Sequence, residues 1–151
     1  MVVKIKKLHP NSVIPNYAKP GDAGMDLTAV SKFFDEFGNI CYGTGLAFEI
    51  PEGYVGLIFP RSSCSKQQFV LANAVAVIDS GYRGEVVMKF KPSIALDSHQ
   101  YVTDRRIYGT YKVGERIAQM IIMPYPNIEF EEVDNLSETE RGTGGYGSTG
   151  V

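Results

Sequence analysis

Five short stretches carry the residue types that chemistry on an anionic substrate needs. In NAVAVIDSGYRGEV (73–86), Asp79 directly follows an apolar run and Tyr82 stands three residues on. An acid that leaves a buried strand is held in fixed geometry, as a general base must be. The same Asp-Ser-Gly is also ordinary turn chemistry, and the two readings weigh equally. PRSS (60–63) offers Arg61, Ser62 and Ser63 where a strand gives way to a short helical candidate, SSCSKQQF (62–69). Such a junction suits phosphate oxygens, although a plain N-cap with an exposed arginine is the stronger reading of the tetrapeptide alone. PGDAGMDLTA (20–29) sets Asp22 and Asp26 among small residues. A carboxylate there could serve Mg²⁺, but one or two loop acids are weak grounds for a metal. GERIAQMIIMP (114–124) puts Arg116 and Gln119 at the head of an apolar strand. Three residues apart, they are expected on opposite faces, with at most one in a given site.

The fifth stretch is the tail, RGTGGYGSTG (141–150). It satisfies GxGxxG, but no strand–turn–helix unit surrounds it, which refutes a dinucleotide fold, and no Gly-Lys pair exists for a Walker A loop. What remains is local: glycines let backbone N–H groups approach an anion, while Arg141, Ser148 and Thr149 add donors. Tyr146 offers a flat face for a planar ring. A polar, disordered tail is the plainer reading.

The elements that must position these residues are strands. VVKIKKL (2–8), LAFEI (46–50), YVGLIF (54–59), VAVI (75–78), EVVMKF (85–90), RIAQMIIM (116–123) and IEFEEV (128–133) are short, rich in β-branched and aromatic residues, and punctuated by Gly, Pro, Asn or Asp. VAVI and MIIM are continuous and are expected to be buried on both faces. The pattern predicts an all-β domain over 1–133 and a tail over 134–151, where hydrophobicity falls away. Residues 96–112 are polar and aromatic, as a long hairpin excursion would be.

Bulk properties narrow the function. The net charge of −2 lacks the basic excess of a nucleic-acid or membrane-surface binder. Any anionic ligand must then be held by a few placed cations and a metal. Two cysteines and two histidines make neither a disulfide framework nor a zinc site. With no apolar run of about 18 residues and no signal-peptide core, the chain reads as intracellular and cytoplasmic, or nuclear in a eukaryote.

Together and in this order, AGMDLTA, PRSS, NAVAVIDSGYRGEV, GERIAQMIIMP and RGTGGYGSTG resemble the five motifs of the trimeric dUTP pyrophosphatases, from residue 23 to the C-terminus. The resemblance implies a jelly-roll-like β-barrel and a homotrimer whose active sites are composites of all three chains. It implies cleavage of dUTP to dUMP and pyrophosphate with Mg²⁺, keeping uracil out of DNA and supplying dUMP for dTMP synthesis. By similarity, Asp79 is the catalytic base and also reaches the 3′-OH, and Tyr82 packs beneath the sugar and excludes a 2′-OH. Asn73, Ala76, Val77 and Ile78 read the uracil edge. Arg61, Ser62, Ser63 and Gln119 meet the phosphates, with Arg116 an ion-pair partner. Asp26 holds Mg²⁺ through water. The tail is a lid that closes over a neighbouring subunit's site, with Tyr146 on the uracil and Arg141, Ser148 and Thr149 at the phosphates.

The chain departs from the family pattern at Tyr146 (usually Phe), Ala76 (often Gly), Gly81 (often Asp) and Ser63 (often Gly). The 96–112 excursion is longer than usual. Two other readings compete: a dCTP deaminase on the same fold, against which the tail and the absence of a suitably placed glutamate speak, and a regulatory binder using 96–112.

Overall fold

The computed structural model describes residues 1–67, 69–92 and 110–145. Tyr146, Ser148, Thr149 and most of the 96–112 excursion therefore lie outside the described residues. Among the described residues the chain is all-β apart from one 3-10 turn, Ser62–Lys66. Ten strands form: β1 (Lys4–Lys7), β2 (Met25–Thr28), β3 (Ser31–Phe34), β4 (Ile40–Gly43), β5 (Leu46–Glu49), β6 (Tyr54–Pro60), β7 (Phe69–Leu71), β8 (Ala76–Ile78), β9 (Val87–Pro92) and β10 (Arg116–Pro124). They pair antiparallel in three sheets: β1-β5, β2-β10-β6-β8 and β3-β4-β9-β7. This is the jelly-roll-like arrangement expected, although among the described residues the sheets do not join into one closed ladder.

The core lies between the two four-stranded sheets. Leu27 from β2, Ile58 from β6 and Ile117 and Met120 from β10 meet Ile40, Tyr42, Met88 and Phe90 from β4 and β9, all at most 1% exposed. Four rings, Tyr42, Phe69, Phe90 and Tyr111, pack edge to face with centroids 4.7 to 6.2 Å apart. Such pairs add about 0.5–1.5 kcal/mol each beyond their burial. Gly56 on β6 is needed for close approach: a Cβ there would stand 2.8 Å from Ile50 Cδ1 and 3.3 Å from Ile78 Cβ.

Several expectations are corrected. VAVI is not buried on both faces; Val77 is 59% exposed, because β8 is an edge strand that lines a pocket. Of MIIM, only Met120 is fully buried and Met123 is 44% exposed. The strand expected at 85–90 starts at Val87, because Val86 N–H donates instead to Leu46 O at 2.9 Å. Residues 128–133 form no strand, and Ile128, Phe130 and Val133 are exposed. Strands β2, β3, β4 and β7, of three or four residues each, add to the set that the sequence pattern predicts. The helical candidate at 62–69 is the 3-10 turn.

Candidate functional site

β10 crosses the middle of its sheet between β2 and β6, so side chains from three strands meet at its head. Register runs Arg116↔Thr28, then Ala118↔Leu27, then Gln119↔Asp26. Two steps on β10 match one on β2, which is a β-bulge. Ile117 and Ala118 are both buried, the alternation resets, and Arg116 and Gln119 open onto one cleft. The expectation that they face apart is thus overturned by the bulge.

That cleft, of about 730 Å³, gathers Asp22, Asp26, Arg61, Ser62, Arg116 and Gln119. Arg61 Nε donates to Asp26 Oδ1 at 2.6 Å, and an Arg116 guanidinium nitrogen donates to Oδ2 at 3.0 Å. One carboxylate therefore aligns two guanidiniums, while Asp22 at the rim brings the cleft's formal charges into balance. The Arg61–Asp26 pair is about three-quarters buried, where charge-assisted bonds keep their strength. Arg116 is the ion-pair partner its motif implied. Gln119 Nε2 donates to Pro60 O at 3.1 Å, and a Cβ on Gly24 would stand only 2.6 Å from its Oε1. Ser63 does not line the cleft: its hydroxyl sits 3.2 Å from the Tyr111 hydroxyl and 3.4 Å from an Arg61 guanidinium nitrogen. Asp22 accepts from its own loop, at Lys19 N–H.

A second, smaller pocket of about 330 Å³ holds Asn73, Ala76, Val77, Ile78, Asp79 and Tyr82. Asp79 is exposed at its mouth. The Tyr82 hydroxyl donates to Glu85 O at 3.0 Å, and Tyr82 N–H closes the turn on Asp79 O at 3.1 Å. Next to Asn73 the backbone is strained: Ala74 has φ +56°, and Val75 N–H reaches back to Asn73 O at 2.5 Å. Strain of this kind clusters where a side chain must be aimed. Glu85, the nearest glutamate to a deaminase's base, accepts from Gly45 N–H at 2.8 Å and ties the hairpin to the β4–β5 turn.

The two pockets share no residue and stand apart. β2 and β8 are opposite edges of one sheet, three strand spacings or about 14 Å apart. Through β10 and β6, Asp26 lies in the row of Phe59, whereas Ile78 lies in the row of Gly56. Those three residues add about 10 Å along the strands, so the Asp26 and Ile78 backbone positions are roughly 17 Å apart, and Asp79 follows Ile78 on the far side.

Of the remaining expected groups, Arg141 is exposed and donates to Gly144 O at 3.0 Å within its own turn. Burial pushes the Cys64 thiol up, which holds it protonated and unsuited to nucleophilic attack. Tyr111 and Ala74 escaped the sequence reading. Tyr111 lay inside a polar excursion, and a left-handed alanine leaves no signature in composition.

A β-sheet scaffold with a twin-arginine cleft and a separate carboxylate–tyrosine pocket has the parts of a nucleotide phosphohydrolase. The family model described as dUTPase matches residues 10–150. The chain belongs to the dUTPase family, and its activity is hydrolysis of dUTP. It is 39% identical to the deoxyuridine 5′-triphosphate nucleotidohydrolase of Picosynechococcus sp., over 100% of both chains. It is 41% identical to that of Corynebacterium diphtheriae, over 99% of this chain and 93% of the relative. Among solved structures, the dUTPase of Staphylococcus bacteriophage 80alpha with dUPNHPP superposes with a TM-score of 0.81, at 30% identity and 99% coverage of both chains. A mutant dUTPase from phage phi11 of S. aureus, in which a structural Mg(II) ion is coordinated, gives 0.72 at 27% identity, covering 89% and 98%.

Proposed function

We propose that this chain cleaves dUTP to dUMP and pyrophosphate by attack of an Asp79-activated water on the α-phosphorus, in a site completed by other copies of the chain. The separation of the two pockets carries this reading. A base must stand within hydrogen-bond reach of its water, and that water about 3–3.5 Å from phosphorus. Asp79 therefore belongs within about 7 Å of the reacting phosphorus, yet Ile78, the residue just before it, already stands roughly 17 Å from Asp26, whose carboxylate aligns Arg61 and Arg116. The halves meet when one protomer's Asp79 pocket faces another's arginine cleft, as a homotrimer with sites at its interfaces provides.

In that site Asn73 and the β8 backbone at Ala76, Val77 and Ile78 bond the uracil edge, and Tyr82 floors the deoxyribose. Discrimination against UTP follows by exclusion of the 2′-OH. Arg61, Ser62 and Gln119 hold the phosphates, and Ser63 contributes through its backbone, since its hydroxyl is engaged by Tyr111. Asp79 takes the proton of the attacking water. The tail, residues 134–151, acts as the lid: Tyr146 covers the base, and Arg141, Ser148 and Thr149 meet the phosphates and exclude other water.

The donor set at Asp26 fits Mg²⁺. Both carboxylate oxygens already accept from guanidiniums, so contact through a bound water suits an ion that keeps several waters and takes the rest of its shell from phosphates. Bound there, Mg²⁺ neutralises triphosphate charge and fixes the chain for in-line displacement. The reaction is placed in the cytoplasm, or the nucleus of a eukaryote, with no nucleic acid or membrane as partner. No helix among the described residues is long and apolar enough to cross a membrane.

The test is pyrophosphate release from dUTP, dCTP, dTTP and UTP with Mg²⁺, for the wild type and Asp79→Asn. Release from dUTP alone, reduced about 10²–10⁴-fold in the variant, is the expected result. Full activity of Asp79→Asn would remove the base from the mechanism, and ammonia from dCTP would move the chain to the deaminases.

A further inference from the structure

The 3-10 turn that follows Arg61 is poorly anchored by its own residues. None of its side chains is fully buried, and Arg61 at its N-cap makes no capping side-chain bond. Its local bonds run from Cys64 N–H to Arg61 O at 2.9 Å, Gln67 N–H to Cys64 O at 2.9 Å and the Ser65 hydroxyl to Ser62 O at 2.8 Å. These shape the turn without fixing where it sits on the barrel. Two side-chain links to the core do that: Cys64, partly buried against the core with its thiol 3.5 Å from Phe69 O, and Ser63, which meets Tyr111 and alone also touches Arg61.

Tyr111 is 3% exposed, and its ring is clamped edge to face by Phe69 at 5.2 Å, Phe90 at 6.0 Å and Tyr42 at 6.2 Å. Its carbonyl accepts from the Tyr42 hydroxyl at 2.9 Å, so ring and backbone are both held. From that position its hydroxyl meets Ser63 Oγ at 3.2 Å. Ser63 Oγ in turn accepts from Arg61 at 3.4 Å, and Arg61 Nε holds Asp26 at 2.6 Å. A continuous polar chain thus leads from the aromatic core to the cleft.

We propose that Tyr111 is a positioning residue for phosphate binding, acting through Ser63 to fix the Arg61 guanidinium on the cleft. The inference rests on the reading that Arg61 meets the triphosphate. The side chain that carries the hydroxyl loses no freedom when substrate binds, since packing has already frozen it. Its contribution is preorganisation, which lowers the cost of ordering the arginine in the complex.

The experiment measures affinity for dUMP and for α,β-imido-dUTP, with kcat and KM for dUTP and Tm, on the full chain. The variants are Tyr111→Phe, Ser63→Ala, the double variant, Arg61→Ala, and Ser12→Ala as control. Ser12→Ala removes a buried hydroxyl, bonded to Gly45 O at 2.7 Å, without touching the turn or Tyr111. Tyr111→Phe is expected to weaken the triphosphate analogue roughly five- to tenfold, the worth of one hydrogen bond, and to raise KM more than it lowers kcat. dUMP binds as in the wild type, Ser63→Ala matches Tyr111→Phe, and the double variant is no worse than either single. Ser12→Ala lowers Tm without separating dUMP from the triphosphate. Wild-type triphosphate affinity in Tyr111→Phe, or equal losses for dUMP and triphosphate, would overturn the proposal. If Arg61→Ala also binds the triphosphate normally, the phosphate reading falls with it. If Arg61→Ala alone is impaired, only the role of Tyr111 is lost.

Discussion

Tyr82 lies across the Cα of Gly84, and its hydroxyl is tied to the carbonyl of Glu85. A Cβ at Gly84 would stand 2.6 Å from the ring's Cζ, so glycine there is what lets the ring lie flat beside the pocket. Gly84→Ala is expected to lift the Tyr82 ring, lower kcat/KM for dUTP about tenfold, and narrow the dUTP-to-UTP preference. Steady-state kinetics with both nucleotides measure this; an unchanged preference would separate Tyr82 from sugar discrimination. At this scale the sequence was informative about residue types but silent about aim. Asp26, Arg61, Ser62, Arg116 and Gln119 do share one cleft, and Asn73, Ala76, Val77, Ile78, Asp79 and Tyr82 share another. That Ser63 turns to Tyr111 was illegible, because the partner is 48 residues away and reached through tertiary packing. The strain at Ala74 was equally hidden, since alanine carries no sign of a positive φ.

Short elements explain why the strand reading was incomplete. β2, β3 and β4 have four residues each, and β2 carries Asp26, which reads as a loop acid when taken alone. β4 is buried throughout, so neither alternation nor length gives it away. The bulge at Ile117 is likewise invisible, because it depends on which residue of β2 lies opposite. The β3–β4 turn shows how such short strands are held in register. Asp35, with only 12% of its side chain exposed, accepts from Phe37 and Asn39 N–H, from the Asn39 amide and from Lys89. The Asn39 side chain, and then Lys89, hold its carboxyl well below the usual carboxylate range, against an opposing push from burial. A depressed folded value means that the unfolded chain binds the proton first. The stabilisation is complete above the ordinary range, near pH 4, and is lost as pH falls from there through the folded value. Asp35→Asn should therefore melt below the wild type at pH 7, with the gap closing below about pH 4. A gap independent of pH in thermal melts would mean that the charge of Asp35 contributes nothing.

The whole molecule explains why its active parts look unfinished in one chain. Asp79 is exposed and Ile128, Phe130 and Val133 find no strand to join. The Asp79 pocket and the arginine cleft sit at opposite edges of one sheet. Sequence motifs establish which residues belong to a site but not which copy supplies them, because chain order carries no information about symmetry. A complementation experiment reads this directly. Asp79→Asn keeps its arginine cleft, and Arg61→Ala keeps its base, so each alone should be nearly inactive. Expressed together in equal amounts, they form mixed assemblies. In a cyclic trimer whose sites pair one protomer's cleft with the next protomer's base, every mixed trimer has one intact site of three. With random mixing about a quarter of all sites are whole, so dUTP turnover should return to about a quarter of the wild-type rate. A single chain carrying both substitutions, expressed with wild type, provides the reference for mixing. If each chain formed its own site, the two single variants together would stay as inactive as either alone, and the roughly 17 Å between the half-sites would have to be closed by movement within one protomer.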